Sequence, residues 1–221
     1  MSNSDLTDYT QLSPNKNSPR KYPITKITIH HMAGNLTVEQ CGAVFASPAR
    51  QASSNYGIGS DGRIGLYVDE ADRSWCSANR DNDERAVTIE VANDDLVTWS
   101  VSEKAYAALI DLCTDICRRN GIERLNFTGD ASGNLTMHRY FAATACPGDW
   151  LASRFPMIAD EVNARLAKEK VDLDGVSEWA RDAVAWAVGK GLLVGDGNGE
   201  IRPKEPVTRE ELCVILRRLE G

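Results

Sequence analysis

Segments typical of strands and of helices are interspersed between residues 23 and 168. Two runs, "PITKITIHH" from Pro23 and "RAVTIEVAND" from Arg85, alternate apolar and polar residues as β-strands do. A third, "SSNYGIGSDGRIGLYV" from Ser53, predicts a hairpin. The segment "SVSEKAYAALIDLCTDICRRNG" from Ser100 instead repeats its apolar residues at the helical period. This interspersion predicts an α/β domain over residues 23–168.

Capping signals predict where individual helices begin. A Ser or Thr three residues before Glu or Gln is the spacing of a capping box, in which each side chain binds the other residue's backbone N–H. The spacing occurs at three predicted helix starts: Thr37 with Gln40, Ser100 with Glu103, and Thr208 with Glu211. A further helical run is predicted after Gly148.

The two ends of the chain differ from the α/β part. Residues 1–22 are rich in Ser, Asn and Pro and predict an N-terminal arm with little structure of its own. Residues 171–221 predict a small all-α module of helix, loop and helix. On its first helix, Trp179 and Trp186 share an apolar face and are expected in the core. A module of this size has a marginal core and is expected to prefer a neighbour or a partner copy.

Charge and hydropathy exclude several classes of partner. The net charge of the 221-residue chain is −7, and the absence of a basic stripe argues against nucleic acid or an anionic membrane. No long apolar run occurs, and the N-terminus lacks the charged-then-apolar order of a secretory signal. We therefore expect no membrane span and no signal peptide. Such a protein is made in the cytoplasm and needs another route of release to act outside the cell.

Histidine and glutamate side chains on the predicted strands are candidates for a site. Neighbouring side chains on a strand point to opposite faces, so His30 and His31 cannot both enter one site. His31 shares its face with two isoleucines, which favours His31 in packing and His30 at a polar site. Glu90 projects from the polar face of a largely apolar strand, where a lone buried carboxylate is costly. Glu90 is therefore either a residue of a site or a glutamate that faces the surface.

The loop-like segment "HRYFAATACPGDW" adds His138 and Cys146. With His30 they make two imidazoles and one thiolate, a donor set suited to zinc that leaves a fourth position open for water. The alternative without metal makes Cys146 a nucleophile and His138 its base. Residue types alone leave both alternatives open.

The other cysteines do not form a recognisable framework. The absence of a CxxC pair argues against a disulfide framework or a zinc finger. Cys113 and Cys117, four residues apart on the predicted helix, are expected in the core.

Four motifs in order resemble the N-acetylmuramoyl-L-alanine amidases, the family shared by phage lysozyme-amidases and animal peptidoglycan recognition proteins. They are "TIHHMAG", "SSNYGIGSDGRI", "AVTIEVAN" and "MHRYFAATACPGDWL". The resemblance covers residues 23–168 and implies a central mixed β-sheet flanked by helices. It also implies a zinc-dependent enzyme that binds peptidoglycan and hydrolyses the amide bond between N-acetylmuramic acid and L-alanine.

The resemblance assigns roles to individual residues. His30, His138 and Cys146 match the zinc ligands, and Thr144 falls where a side chain assists the oxyanion. Ser54 stands where some members carry a catalytic tyrosine. Because Glu90 occupies the position of the glutamate found in bacterial and phage members, the sequence resembles the glutamate type.

The resemblance implies a phage endolysin that lyses its host, with a bacterial autolysin as the alternative. Some recognition proteins of the family hold peptidoglycan without catalysis, but they lack a zinc ligand, and Cys146 is retained here. Trp75, Asn93 and Arg139 are nearby candidates for choosing the stem peptide.

Residues 171–221 resemble one S-layer homology repeat, with a Trp-Ala helix, a Gly-Asp-Gly loop at 195–197 and a "VTREE" signature. The resemblance implies binding to a secondary cell-wall polymer, with Arg209 involved. Members usually carry three repeats, so a single copy also suggests a homo-oligomer formed through this module.

Overall fold

A computed structural model describes residues 2–169, 173, 175–189, 192–193 and 201–220. The chain divides into two compact units, Met1–Asn163 and Ala164–Gly221.

The described residues form short strands and helices that are numbered here in chain order. The strands are β1 (Tyr9–Thr10), β2 (Lys16–Asn17), β3 (Lys26–His31), β4 (Tyr56–Ile58), β5 (Ile64–Leu66), β6 (Arg73–Ser74), β7 (Ala86–Val91) and β8 (Leu135–Met137). The helices are α1 (Val38–Ala46), α2 (Arg80–Asp83), α3 (Glu103–Arg119), α4 (Asp149–Ala152), α5 (Phe155–Glu169), α6 (Arg181–Gly189) and α7 (Arg209–Glu220).

Six strands form one sheet in the order β1-β5-β4-β7-β3-β8. The β4–β5 hairpin is antiparallel, and the other neighbours in this sheet pair in parallel. β2 and β6 form a separate antiparallel pair. Helix α1 packs against β1, β4 and β5, and α3 against β4 and β7. The expected mixed sheet flanked by helices is therefore confirmed, as is the hairpin.

The capping boxes predicted from the sequence are only partly confirmed at the starts of α1 and α3. At α1, Gln40 N donates to Thr37 Oγ1 and Thr37 N donates to Gln40 Oε1, which confirms the capping box. The predicted box at Ser100 is wrong. Helix α3 begins two residues later, because Ser102 accepts from Ala105 N at 3.1 Å while the Ser100 hydroxyl donates to Asp94.

Both faces of the central strands are buried. Val87, Ile89 and Val91 lie on one face of β7 and are fully buried, as the alternation predicts. The opposite face is polar, and its hydroxyls pair with one another: Thr28 with Thr136 at 2.9 Å on neighbouring strands, and Ser74 with Thr88 at 2.8 Å. The functional candidates on that face therefore extend from a buried, hydrogen-bonded layer.

The N-terminal segment differs from the arm that the sequence predicts. Strand β1 pairs with β5 and β2 with β6. The Arg20 guanidinium, 6% exposed, donates to five backbone carbonyl oxygens. These belong to Glu70, Asp72, Asp83, Glu84 and Ala86. Single polar side chains, which leave no periodic pattern, thus fasten residues 2–22 to the rest of the first unit.

The described part of the second unit is helical, as expected. A 3-10 turn at Glu178–Ala180 precedes α6, and the capping box of Thr208 with Glu211 at the start of α7 is confirmed. The core prediction for the tryptophans is wrong: Trp179 is 89% exposed and Trp186 53%. Trp179 falls in the 3-10 turn, so the helical period that aligned it with Trp186 does not hold there. The predicted loop at 195–197 lies outside the described residues.

Among the helices that the structure describes, none has both the length and the apolar character needed to cross a bilayer.

Candidate metal centre

Three neighbouring strands deliver the site residues to one end of the sheet. β3 pairs in parallel with β7, and the register places His30 directly beside Glu90. β8, on the other side of β3, ends at Met137 and leads straight into the 3-10 turn that starts with His138. Because the strands are parallel, their carboxyl ends meet at the same edge. That edge is where residues far apart in sequence converge.

The potential donor atoms of His30, His138 and Cys146 all lie within 4.8 Å of one another. His30 Nδ1 is 3.6 Å from Cys146 Sγ, and the two imidazole centroids are 4.8 Å apart. A tetrahedral zinc site, with Zn–N and Zn–S bonds of its usual lengths, separates N and S by about 3.6 Å. The donor spacing therefore fits the ion that the residue types suggest.

Burial sets the electrostatic state of this cluster. His30 is 1% exposed and its Nε2 has no hydrogen-bond partner. Burial, followed by the neighbouring His138 and His31, lowers the pKa of His30 well below its usual value. Burial also lowers the pKa of His138. Both imidazoles are thus neutral, which is the form that binds metal.

The environment of the Cys146 sulfur raises the pKa of its thiol, whereas burial lowers the pKa of the two imidazoles. Burial, and then the charge of Glu90, raises the pKa of its thiol. The sulfur accepts a hydrogen bond from the His31 backbone N–H at 3.4 Å. A buried thiol with a raised pKa is a poor nucleophile in the absence of a metal cation, and its imidazole neighbour at 3.6 Å is His30, not the proposed base His138. These features favour the metal alternative over the nucleophile.

His31 stays outside the cluster, as the strand alternation predicts. Its ring meets the edge of Trp99, with centroids 5.4 Å apart. Burial lowers the pKa of His31. Its role in the structure is packing beside the site.

Glu90 lies next to the cluster with little to hold its carboxylate. Burial raises its pKa to about 8. Oε1 is 3.8 Å from the Cys76 thiol, and Oε2 is buried without a partner. The Cys76 sulfur, Glu90 and His30 form a second group with donor atoms within 4.8 Å, overlapping the first at His30. Sequence reasoning missed Cys76, because this residue lies in a loop after β6 and in no motif.

Two other predicted residues occupy distinct positions. Thr144 is exposed, and its hydroxyl oxygen accepts from Cys146 N at 3.2 Å, which leaves the hydroxyl hydrogen free to donate. Ser54 is fully buried and donates to the carbonyl of Thr88 at 2.9 Å. The Ser54 hydroxyl is therefore engaged in structure.

The candidates for peptide selection also differ in position. Asn93 is fully buried and donates to the carbonyl of Trp99. Trp75 is half-buried and donates from its indole to Asn17. Arg139 donates to the carbonyl of Ala145 and pairs with Asp149, and thus fastens the turn that carries Cys146. Asn93 and Arg139 act within the fold.

Comparison with known proteins finds a family match in each part of the chain. Residues 20–149 match the family model described as N-acetylmuramoyl-L-alanine amidase, and residues 171–213 match the S-layer homology domain. No curated protein matches the sequence.

Several solved structures share the fold. PlyL is 13% identical, with 71% of this chain and 96% of its own covered and a TM-score of 0.57. The catalytic domain of XlyA is 16% identical, with 71% and 99% covered and a TM-score of 0.53. The amidase LysC from Clostridium intestinale URNW is 19% identical, with 72% and 97% covered and a TM-score of 0.51.

Proposed function

The chain belongs to the N-acetylmuramoyl-L-alanine amidase family, whose model matches more than half of its residues, and we propose that it is a zinc-dependent enzyme of that activity. It hydrolyses the amide bond between N-acetylmuramic acid and L-alanine in peptidoglycan. The observation that carries this proposal is the convergence of two neutral imidazoles and one sulfur beside a buried carboxylate.

The ligands we assign to zinc are His30, His138 and Cys146. Their spacing fits a tetrahedral site, because His30 Nδ1 lies 3.6 Å from Cys146 Sγ. When bound, zinc supplies Lewis-acid activation of water and of the scissile carbonyl. The second possible donor group, His30 with Cys76 and Glu90, shares His30 with this site. With His30 assigned to the site of His138 and Cys146, Glu90 and Cys76 remain available for other roles.

Glu90 is the general base and acid in this proposal. Its Oε2 takes a proton from the attacking water and returns it to the amine of L-alanine as the amide bond breaks. A carboxyl whose pKa lies near the working pH is suited to both steps, and burial raises the pKa of Glu90 to about 8.

Thr144 assists the developing oxyanion in this proposal. Because its oxygen already accepts from Cys146 N, its hydrogen is directed elsewhere and is available to a substrate oxygen. A neutral hydroxyl provides weaker stabilisation than a charged donor. We therefore expect Thr144 to contribute less than Glu90.

The second unit, by this proposal, attaches the enzyme to a secondary cell-wall polymer. The match of residues 171–213 to the S-layer homology domain supports this role. Arg209 opens α7 and is exposed, so it is accessible to a polymer. Self-association of this unit into a homo-oligomer is the alternative role.

We propose a phage endolysin as the biological role, made in the host cytoplasm and acting on the wall after release. The family match of the first unit supports the activity that this role requires. A bacterial autolysin of the same chemistry is the second candidate, favoured by the S-layer homology match, because a resident wall enzyme also needs an anchor. A holin gene next to the gene of this protein would favour the phage endolysin over the bacterial autolysin.

The activity is tested by digesting purified cell walls and identifying the products by mass spectrometry. New amines on L-alanine, with glycan strands intact, are expected. Glu90→Gln should lower kcat by about 10²–10⁴ and retain zinc. Cys146→Ser should lose most of the bound zinc and the activity together.

Cys117→Ser, which removes a buried thiol remote from the site, is the matched control and should keep both zinc and activity. Cleavage of glycan or of peptide bonds by the unaltered protein contradicts the proposal. If activity survives complete removal of metal by a chelator, the result favours Cys146 as a nucleophile over Cys146 as a zinc ligand.

A further inference from the structure

The Cys76 thiol is the one hydrogen-bonding partner that the described residues provide for the Glu90 carboxylate. Cys76 Sγ is 3.8 Å from Glu90 Oε1, within the range of a sulfur hydrogen bond. The other oxygen, Oε2, is buried and unpartnered. Since the last torsion of a glutamate side chain has a broad preference, a single contact decides which way this carboxylate faces.

The thiol itself is held by the backbone around it. The Cys76 N–H donates to Asp83 Oδ2 at 3.1 Å, and the hydroxyl of the next residue, Ser77, donates to Asp83 Oδ1 at 2.5 Å. Asp83 is 2% exposed and lies on α2. On the other side, Trp75 N donates to Ser53 Oγ at 3.0 Å, and the Trp75 carbonyl accepts from Ser53 N. The loop that carries the thiol is therefore fixed from both directions.

We propose that Cys76 is a positioning residue that holds the Glu90 carboxylate in its working orientation. The inference rests on the proposed function, because it assigns Glu90 the proton transfers. Donation from the thiol engages Oε1 and leaves Oε2 for the proton of the attacking water. The thiol neither exchanges a proton nor changes its covalent state during the reaction.

A sulfur at this place has a geometric reason. A thiol donates over a longer distance than a hydroxyl, and 3.8 Å is too long for an O–H···O bond. Because the loop is fixed, the Glu90 side chain would have to move towards the hydroxyl of Cys76→Ser to make the same contact. We expect Cys76→Ser to restore part of what Cys76→Ala removes.

A competing role for the same residue is metal binding, because Cys76, Glu90 and His30 form a second potential donor group. The two roles differ in what removal of the thiol does. Loss of a metal ligand lowers the zinc content of the protein, whereas loss of a positioning contact lowers kcat at full zinc content.

The test measures kcat, KM and bound zinc for the full-length protein on a soluble muramoyl-peptide prepared from cell wall. Cys76→Ala should lower kcat by about ten-fold, with KM and zinc content unchanged. Cys76→Ser should recover part of the loss. Cys113→Ala, which removes a fully buried thiol on α3, is the matched control and should leave kcat unchanged.

A double-mutant cycle separates positioning from a general structural effect. If Cys76 acts through Glu90, Cys76→Ala should have no further effect on kcat in a Glu90→Ala background. An equal loss in both backgrounds, an unchanged kcat in the single variant, or a loss of zinc overturns the inference. Where the Glu90→Ala protein is too slow to assay, the Cys76→Ser recovery at full zinc content decides.

Failure of the proposed function gives a different result. In that case the unaltered protein releases no L-alanine amine, or Glu90→Ala retains full activity. Cys76→Ala with normal kcat beside an impaired Glu90→Ala overturns only the positioning role.

Discussion

The two units of this protein stabilise themselves in contrasting ways. The first surrounds a buried charge with partners: Glu70 is fully buried, accepts from Tyr56 at 2.7 Å and pairs with Arg119 at 2.6 Å. The second leaves large apolar side chains in solvent, with Trp179 89% and Leu216 52% exposed. A shorter chain buries a smaller fraction of its surface when it folds, and the second unit has fewer than sixty residues.

This contrast implies that the units respond differently to substitution. In the first unit one buried group serves many partners, so single changes should be costly and should spread. In the second, few of the described apolar side chains are buried, so we expect changes to be small and confined. Hydrogen exchange read separately at β7 and at α7 distinguishes the two responses.

The largest effect is expected from Arg20→Ala. Five carbonyl oxygens lose their donor in a buried place, and we expect a loss of about 3–5 kcal/mol in the free energy of unfolding. Faster exchange should appear at β7 and not at α7. Equal acceleration in both units would show that they unfold as one body and would remove the contrast.

Zinc should stabilise the first unit alone. At a free concentration about 100 times Kd, a ligand that binds only the folded state adds about 2.7 kcal/mol to its stability. Differential scanning calorimetry with and without a chelator should show the shift in the transition of the first unit. The Cys146→Ser variant is the control, and a shift that persists in it would place the zinc elsewhere.

The matched capping boxes sharpen the comparison because they place the same local motif in both units. Thr37→Ala and Thr208→Ala should each cost about 1 kcal/mol. Circular dichroism should show helix loss at lower temperature for Thr208→Ala, because α7 has fewer buried contacts to hold it. Equal melting of the two variants would mean that the second unit has a firmer core than its exposed leucines indicate.

The smallest effect is expected at Trp179. An 89% exposed side chain contributes little to folding, so Trp179→Ser should change the free energy of unfolding by less than about 0.5 kcal/mol. Acrylamide should quench this indole readily in the unaltered protein. Poor quenching, or a large loss of stability, would show that another surface covers Trp179 in solution.

Several features follow from local chemistry and were predictable from the residues. The alternation in β3 separates His30 from His31, and the structure keeps that separation. The boxes at Thr37 and Thr208 involve residues three positions apart, so no distant contact is needed to form them. The start of α3 was predicted two residues early because Ser100 and Ser102 both follow the local rule, and Asp94 competes for one of them.

The amino-acid sequence by itself thus determined which functional groups are present: two histidines and a cysteine suited to zinc, and a glutamate on a strand. It also determined most of the helices and strands that carry them. Only the tertiary structure decided which groups meet. The register of β3 with β7 sets His30 beside Glu90, and the loop before α2 brings the Cys76 thiol to that carboxylate. The strand register and the position of the loop depend on packing between segments that are far apart in the sequence. A pattern of residues along the chain does not show how close such segments come in space.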